Sequence, residues 1–366
     1  MLYLVMDYYN YNGKMLEGSK AFAGPSSRAI RYGDGLFETI KSAKGELVFA
    51  EDHFARLWDG LERLRFQLPV HFTPARLQQE ILHLLQKNKQ DKLARVRLTL
   101  FRGNGGLYDP VHLHPEYTIQ TMALPETAGQ WNSNGLVLGI YEAARKCRDA
   151  FSDIKHNNFL PYVMAALEAK EQQWNDALLL NDAGRVCDSS IANVFLLKNG
   201  TVSTVSLAEG CIAGVMRKNL MRLLAEKGIP VTEAAITVEE LLNADEVFLT
   251  NSIFNLQIGS LAERLLDVGR ARRYPPTGPT VEYELVGSAI RALRYLSSYR
   301  QPPSSLYPAR TTSLGPPLGS NGQFAAEYLY NNREFSCDIL PHDGGRASEV
   351  RAVNEWNSYI FSTPLL

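Results

Sequence analysis

Lys155 lies in Ser152-Asp153-Ile154-Lys155-His156-Asn157-Asn158-Phe159-Leu160, between a short polar run and the aliphatic segment Pro161 to Leu167. An amine with apolar neighbours loses part of its hydration. That lowers its pKa and frees its lone pair as a nucleophile towards carbonyl carbon. Most lysines are solvated surface charges, so the residue takes its meaning from the stretches that follow. Gly184-Arg185-Val186-Cys187-Asp188-Ser189-Ser190-Ile191-Ala192-Asn193-Val194-Phe195 carries an acid. Gly210-Cys211-Ile212-Ala213-Gly214-Val215-Met216-Arg217 opens a helix behind a glycine, and Glu246-Val247-Phe248-Leu249-Thr250-Asn251-Ser252 ends an apolar run in hydroxyls.

A lysine, a later acid and two phosphate-friendly loops suit a pyridoxal phosphate enzyme. The lysine carries the cofactor as a Schiff base, and the acid keeps the pyridine nitrogen protonated so that the ring draws electrons. Free backbone N–H groups and a hydroxyl grip the phosphate.

These residues must be placed by strands and helices. Tyr11-Asn12-Gly13-Lys14 and Lys44-Gly45-Glu46 read as hairpin turns, and Arg31-Tyr32-Gly33-Asp34-Gly35 leads into an alternating strand through Lys41. A helix from Glu51 carries His53, Leu57, Leu61 and Leu64 on one face, with Arg56 and Arg63 beside it. A second starts at Thr73-Pro74 and runs to Lys87. Strands are expected over Ala94 to Arg102, Tyr117 to Met122, Leu136 to Tyr141, Ala177 to Asn181, Asn193 to Lys198 (closed by Asn199-Gly200) and Glu246 to Thr250. Helices are expected over Leu160 to Gln173, Val215 to Lys227, a short stretch from Val238, and Val281 to Leu296. Strands interspersed with helices in both halves indicate an α+β chain of two unequal domains. Residues 125–134, rich in Pro, Gly, Ser, Asn and Thr, read as the linker. Residues 297–366 have weak periodicity and read as a loosely ordered tail.

At 366 residues the chain is long enough for two domains with a sizeable core, and 45% hydrophobic with 21% charged residues is ordinary for a globular protein. A net charge of -1 argues against nucleic acid or an anionic membrane as the main partner. The 4 cysteines show no C-x-x-C pair and read as thiols of a reducing compartment. No apolar run reaches transmembrane length, and Met1 to Asp7 turns polar too soon for a signal peptide; a cytoplasmic protein is expected.

In order, these motifs resemble the class IV, fold-type IV pyridoxal phosphate enzymes, over roughly residues 3–295. That family includes branched-chain aminotransferases, D-amino-acid aminotransferases and aminodeoxychorismate lyases. The resemblance implies the D-amino-acid aminotransferase-like fold, with a small N-terminal α/β domain (1–124) and a larger cofactor-binding α/β domain (135–296). It further implies a homodimer, pyridoxal 5'-phosphate as cofactor, and an amino acid and a 2-oxo acid as partners. Carried across by motif, Lys155 forms the Schiff base. Arg56 in His53-Phe54-Ala55-Arg56-Leu57 pairs with the phosphate, Val215 and Met216 offer it backbone N–H groups, and Thr250 offers a hydroxyl. Read without the resemblance, Arg56 is a surface helix charge, Gly214-Val215 an ordinary helix start, and Thr250 a strand-end hydroxyl. The resemblance places Tyr32, Glu38 and Arg97 at the substrate. In one place the chain departs from the family: Asp188, five residues before Asn193-Val194-Phe195, stands where the family has a glutamate. The shorter acid loses roughly 1.3–1.5 Å of reach, so the backbone must come closer or a water must bridge.

Within the family, Phe101-Arg102-Gly103-Asn104-Gly105-Gly106 resembles the lyases' loop, whereas Glu38 is as in the aminotransferases. Leu107-Tyr108-Asp109 replaces the Arg-x-His pair of the D-amino-acid enzymes, and Arg95-Val96-Arg97 resembles the branched-chain enzymes' pocket strand. The balance favours an aminotransferase acting on L-amino acids, branched-chain or similar. The alternatives are an aminodeoxychorismate lyase or a catalytically silent protein on the same fold.

Overall fold

The structure, a computed structural model, describes residues 7–128 and 135–261, with side chains to residue 257. The expected helix over Val281 to Leu296, the tail from residue 297, and residues 129–134 of the expected linker lie outside the described residues.

The first half of the chain forms β1 (Tyr8–Tyr11), β2 (Lys14–Glu17), α1 (Arg28–Tyr32), β3 (Gly35–Ala43), β4 (Glu46–Leu47), α2 (Ala50–Arg63), α3 (Pro74–Lys87), β5 (Leu93–Phe101) and β6 (Glu116–Ala123). Its strands make one antiparallel sheet in the order β2-β1-β6-β5-β3-β4. Both expected hairpin turns form. Asn12 and Gly13 have φ 50° and 84°, and Lys44 and Gly45 have 54° and 78°, the paired positive values of a two-residue turn that matches strand twist. Thr73 caps α3 by accepting from Arg76 N, with Pro74 in the first turn, where its missing N–H costs nothing.

β5 alternates as its sequence predicts: Ala94, Val96, Leu98 and Leu100 turn inward onto Leu57, Leu61, Leu77, Ile81 and Leu84 of α2 and α3. Arg95, Arg97 and Thr99 lie on the other face. β3 departs from the expected alternation, because Leu36, Phe37 and Glu38 are all buried. The segment that carries Lys155 pairs with its edge, Phe37 N donating to Lys155 O (2.9 Å) and Asn157 N to Gly35 O (2.9 Å), and on its second face the Phe37 ring meets Phe159 and the Lys155 amine.

The second half forms β7 (Leu136–Lys146), α4 (Leu160–Glu171), β8 (Asp176–Asn181), β9 (Val186–Ser189), β10 (Asn193–Lys198), β11 (Thr201–Val205), α5 (Val215–Glu226), β12 (Val231–Ala234), α6 (Val238–Leu242), β13 (Glu246–Asn251) and β14 (Asn255–Leu261). They make a mixed sheet, order β12-β11-β10-β13-β14-β7-β8-β9, whose β7–β8 and β7–β14 pairs are parallel. β7 continues past the expected end at Tyr141, through an irregularity between Tyr141 and Arg145. α1, β9, β12 and β14 were not legible as elements. α1 is one turn long and is held from outside, by the ion pair of Arg28 with Asp34 (2.7 Å) and by Arg28 N on Gly103 O.

The two sheets meet along α2 and α5. Asp52 accepts from Lys218 Nζ (2.6 Å) and Asn219 Nδ2 (2.8 Å), while Arg63 pairs with Asp153 (2.7 Å) beside the Lys155 turn. Among the described residues no helix is long and apolar enough to cross a membrane.

Candidate active site

Lys155 sits in the turn between β7 and α4, pinned from both sheets. Phe37 N and Gly35 O hold it from the first, and Ala213 N donates to Asp153 O (3.0 Å) from the second. Gly35 permits that contact, since a Cβ there would collide with Leu100 O and the Asn157 amide. The Lys155 Nζ lies 4.5 Å from the centre of the Phe37 ring and 5.0 Å from that of Phe159. Burial pushes its pKa down to about 7, and the charges of Arg56 and Arg97 add to the shift against the opposing pull of Glu38 and Asp188. The amine is therefore substantially free at neutral pH, which a nucleophile requires.

An aromatic path leads from this amine to the acid. Phe159 stacks on Tyr162 (centroids 4.1 Å, 14° between planes), and the Tyr162 hydroxyl donates to Asp188 Oδ2 (2.8 Å). The same oxygen takes Lys146 Nζ (3.1 Å) and Ile212 N (3.0 Å), while Oδ1 takes Asn193 Nδ2 (3.0 Å). Asp188 is thus buried, ionically paired and gripped by four donors. Lys146, the partner of its charge, was not recognisable from sequence. It lies on the part of β7 beyond the irregularity, where no pattern announced a strand.

A third group gathers at the start of α5. Gly214 precedes the helix, and no side chain caps its first turn. A Cβ at Gly214 would collide with the Asn193 amide oxygen, and Asn193 is paired in the sheet with Thr250. The Thr250 hydroxyl is buried without a hydrogen-bond partner. Arg56 reaches the same place from α2, donating through Nη1 to Ala213 O (2.9 Å). A helix N-terminus, a guanidinium and an orphaned buried hydroxyl on one spot make a cradle that fits a phosphate.

Of the residues expected at the substrate, Arg97 lies with its guanidinium 3.9 Å above the Phe37 ring that also carries Lys155. Glu38 lies beside Arg56, close enough to act on the charge of Lys155. It is buried, with Oε1 on Arg56 Nε (2.8 Å) and Oε2 on Arg56 Nη2 (2.6 Å) and His53 Nδ1 (2.7 Å), so both oxygens are taken. These contacts fix the direction of the Arg56 guanidinium. Three of the five guanidinium N–H groups are used in these contacts, which leaves two for an anion. Tyr32 is half-buried at the end of α1, its ring flanked by the guanidinium groups of Arg28 and Arg31. His53 was legible only as a helix-face residue; its position one turn before Arg56 is the signal that would have tied it to this site.

A family model described as amino-transferase class IV matches residues 35–260. The chain is 31% identical to an aminodeoxychorismate lyase of Vibrio harveyi over 63% of this chain and 83% of that protein. It is 27% identical to a putative branched-chain-amino-acid aminotransferase of Methanocaldococcus jannaschii, covering 69% and 92%. In structure it resembles the branched-chain aminotransferase of the thermophilic archaeon Thermoproteus uzoniensis, solved with norvaline. That likeness has a TM-score of 0.65 at 20% identity and covers 79% of this chain and 95% of that one.

Proposed function

Because the chain belongs to the class IV aminotransferases, we propose that it holds pyridoxal 5'-phosphate on Lys155 and moves an amino group between an L-amino acid and a 2-oxo acid. The observation that carries this reading is the position of the Lys155 amine. It lies against two aromatic rings, and around it stand an acid gripped by four donors and a phosphate cradle that includes an uncapped helix start and a buried hydroxyl without a partner.

When bound, the cofactor supplies an aldehyde for an amine to condense with and a ring that draws electrons from the substrate's Cα. The chain's own residues do the rest. Arg56, the Val215 and Met216 N–H groups and the Thr250 hydroxyl hold the phosphate. Glu38 and His53 keep Arg56 turned towards it. Asp188 holds a proton on the ring nitrogen by its charge, and Asn193, Tyr162, Ile212 and Lys146 fix that carboxylate in place. Lys155 Nζ, freed when an amino acid takes its place, would take the Cα proton and deliver it to C4′ of the cofactor, a task suited to an amine whose pKa lies at about 7. Water would release the keto acid and leave the amino group with the cofactor, and a second 2-oxo acid would take that group up by the same steps in reverse, with the water returned. The enzyme works as a cytoplasmic homodimer, and each sheet with its helices is one domain.

The lyase reading draws on the Arg102-Gly103-Asn104-Gly105-Gly106 loop. Arg102, however, is turned into the fold, with Nη1 on Asp34 (2.5 Å) and its guanidinium 4.2 Å above the Phe66 ring. It serves as a structural tie, and the aminotransferase reading is the better supported.

The test is borohydride reduction of the cofactor-loaded protein at a series of pH values, followed by peptide mapping. Label is expected on Lys155, with the rate of attachment rising through about pH 7, not through the ordinary lysine range. Label on another lysine would overturn the assignment. A panel of L-amino acids with 2-oxoglutarate, run beside an aminodeoxychorismate cleavage assay, separates the two activities.

A further inference from the structure

Asp188 is buried, and its two oxygens are served unequally. Oδ2 accepts from Lys146 Nζ (3.1 Å), the Tyr162 hydroxyl (2.8 Å) and Ile212 N (3.0 Å). Oδ1 accepts from Asn193 Nδ2 (3.0 Å) and, among the described residues, from no other donor. An ionised carboxylate offers about four lone-pair sites, roughly two on each oxygen. One oxygen is therefore filled, on the side of the ammonium, and the other keeps room for a further donor. Glu38 is the contrast. Both its oxygens are closed by Arg56 and His53, so its charge is spent within the fold.

Lys146 is built into this place. It lies on β7 beyond the irregularity between Tyr141 and Arg145, where the strand rejoins β8 with Lys146 opposite Asn181. Its side chain is 8% exposed, and Nζ stands 5.1 Å from the centre of the Tyr162 ring, whose hydroxyl meets the same carboxylate oxygen. The other titratable groups around the pair do not duplicate its charge. Burial, and next the Asp188 charge, push Tyr162 well above its ordinary value, and burial raises the thiols of Cys187 and Cys211, so all three stay neutral. In the lysine turn, His156 is lowered by burial and then by Lys146, Asp153 is paired with Arg63, and Lys155 is pushed down by burial to about 7.

We propose that Lys146 is a counter-charge that moderates Asp188: drawing on the carboxylate from the Oδ2 side, it loosens the hold of Oδ1 on the proton of the cofactor's ring nitrogen. The inference rests on the reading of Lys155 and Asp188 given above and adds how strongly the ring is made to draw electrons. An unpaired carboxylate holds that proton with its full negative charge. One paired with an enclosed ammonium presents a nearly neutral couple and holds it less. The ring draws on Cα the more strongly the more firmly its nitrogen is protonated. Lys146 thus sets the demand below what Asp188 alone would give. It acts through Asp188 and is a positioning residue. A role in packing alone predicts the opposite sign, because an acid freed of its anchor would drift from the nitrogen and hold the proton less.

The test is nitrogen NMR, through a pH series, of protein loaded with pyridoxal 5'-phosphate isotopically labelled at the ring nitrogen. In wild type the nitrogen is expected to give up its proton within the pH range over which the protein stays folded. Lys146→Met is expected to raise that midpoint by about one pH unit or more, a tenfold gain in proton affinity. Lys146→Arg, which keeps the charge, is expected to stay near wild type. Tyr162→Phe, which removes a donor but no charge, should move up by less than Lys146→Met. A midpoint unmoved or lowered in Lys146→Met would overturn the proposal, as would a Lys146→Arg that behaves like Lys146→Met. If Lys146→Met fails to hold the cofactor, the other samples decide. A wild-type nitrogen still protonated at the alkaline limit of folding, or a Tyr162→Phe midpoint that does not rise, counts against the counter-charge. Borohydride labelling of the same samples reads the underlying assignment separately. Label on Lys155 with an unmoved midpoint sinks the counter-charge alone, whereas label on another lysine sinks the reading beneath it.

Discussion

Glu38 shows how single residues make this site workable. Burial by itself would raise its pKa, but Arg56 and His53 outweigh burial and bring it down to about 2. The sign follows from that direction. Its stabilising contribution is fully present above its ordinary value near 4.5 and is lost as pH falls through about 2. Glu38→Gln is therefore expected to flatten the acid limb of unfolding free energy against pH, as measured by urea unfolding. At neutral pH it should cost about 3–5 kcal/mol, the usual penalty for breaking a buried ion pair by removing one partner. Asp188 answers the question its short side chain raised. Four donors have already closed around it. Asp188→Glu should accordingly crowd the site, at about 1–3 kcal/mol for overpacking, with weaker cofactor binding. Asp188→Asn should keep the shape, leave the Lys146 charge uncompensated and slow Cα proton removal. Full activity in Asp188→Asn would reduce the residue to a structural acid.

At the scale of elements, α5 is the part whose start matters most. Its first N–H groups are left uncapped, and Gly214 lets the helix approach Asn193 and so the Thr250 strand. Gly214→Ala puts a methyl group against the Asn193 amide. Moving α5 away should weaken cofactor binding at least tenfold, about 1.4 kcal/mol, with a comparable loss of thermal stability. Equilibrium dialysis of the cofactor and a melting curve check both. An unchanged dissociation constant would mean that the phosphate is not held at this helix start. β3 is the other organising element, because it touches the α2–α3 core on one face and the lysine turn on the other. Antiparallel sheets commonly leave one face to solvent, and here Leu36, Phe37 and Glu38 are all buried.

For the whole molecule, the site is assembled at the meeting of two sheets, and among the described residues it is held by Asp52 to α5, Arg63 to Asp153, Arg56 to Ala213 and the Phe37 and Gly35 backbone to the Lys155 turn. A cofactor that touches both sides adds its binding free energy to that junction. Protein stripped of cofactor is expected to melt lower than protein held at a hundredfold excess over the dissociation constant, by the equivalent of about 2.7 kcal/mol. Calorimetry of the two forms reads this directly; identical melting curves would mean that the cofactor does not bind the folded chain in preference to the unfolded one.

By itself the sequence determined what depends on neighbours in the chain. The Asn12-Gly13, Lys44-Gly45 and Asn199-Gly200 turns need positive φ, which glycine and asparagine accept. The Thr73-Pro74 start and the alternation of β5 follow from equally local demands, and the type and setting of Lys155 pointed to its chemistry. Only the tertiary structure decided what depends on residues far apart. Lys146 meets Asp188 across 42 residues, and Arg56 reaches Ala213 across 157. Glu38 likewise finds its partners, His53 and Arg56 on α2, through the packing of that helix onto β3. A buried charge finds its partner through the packing of whole elements, and no periodicity or turn signal in the chain records which partner that will be.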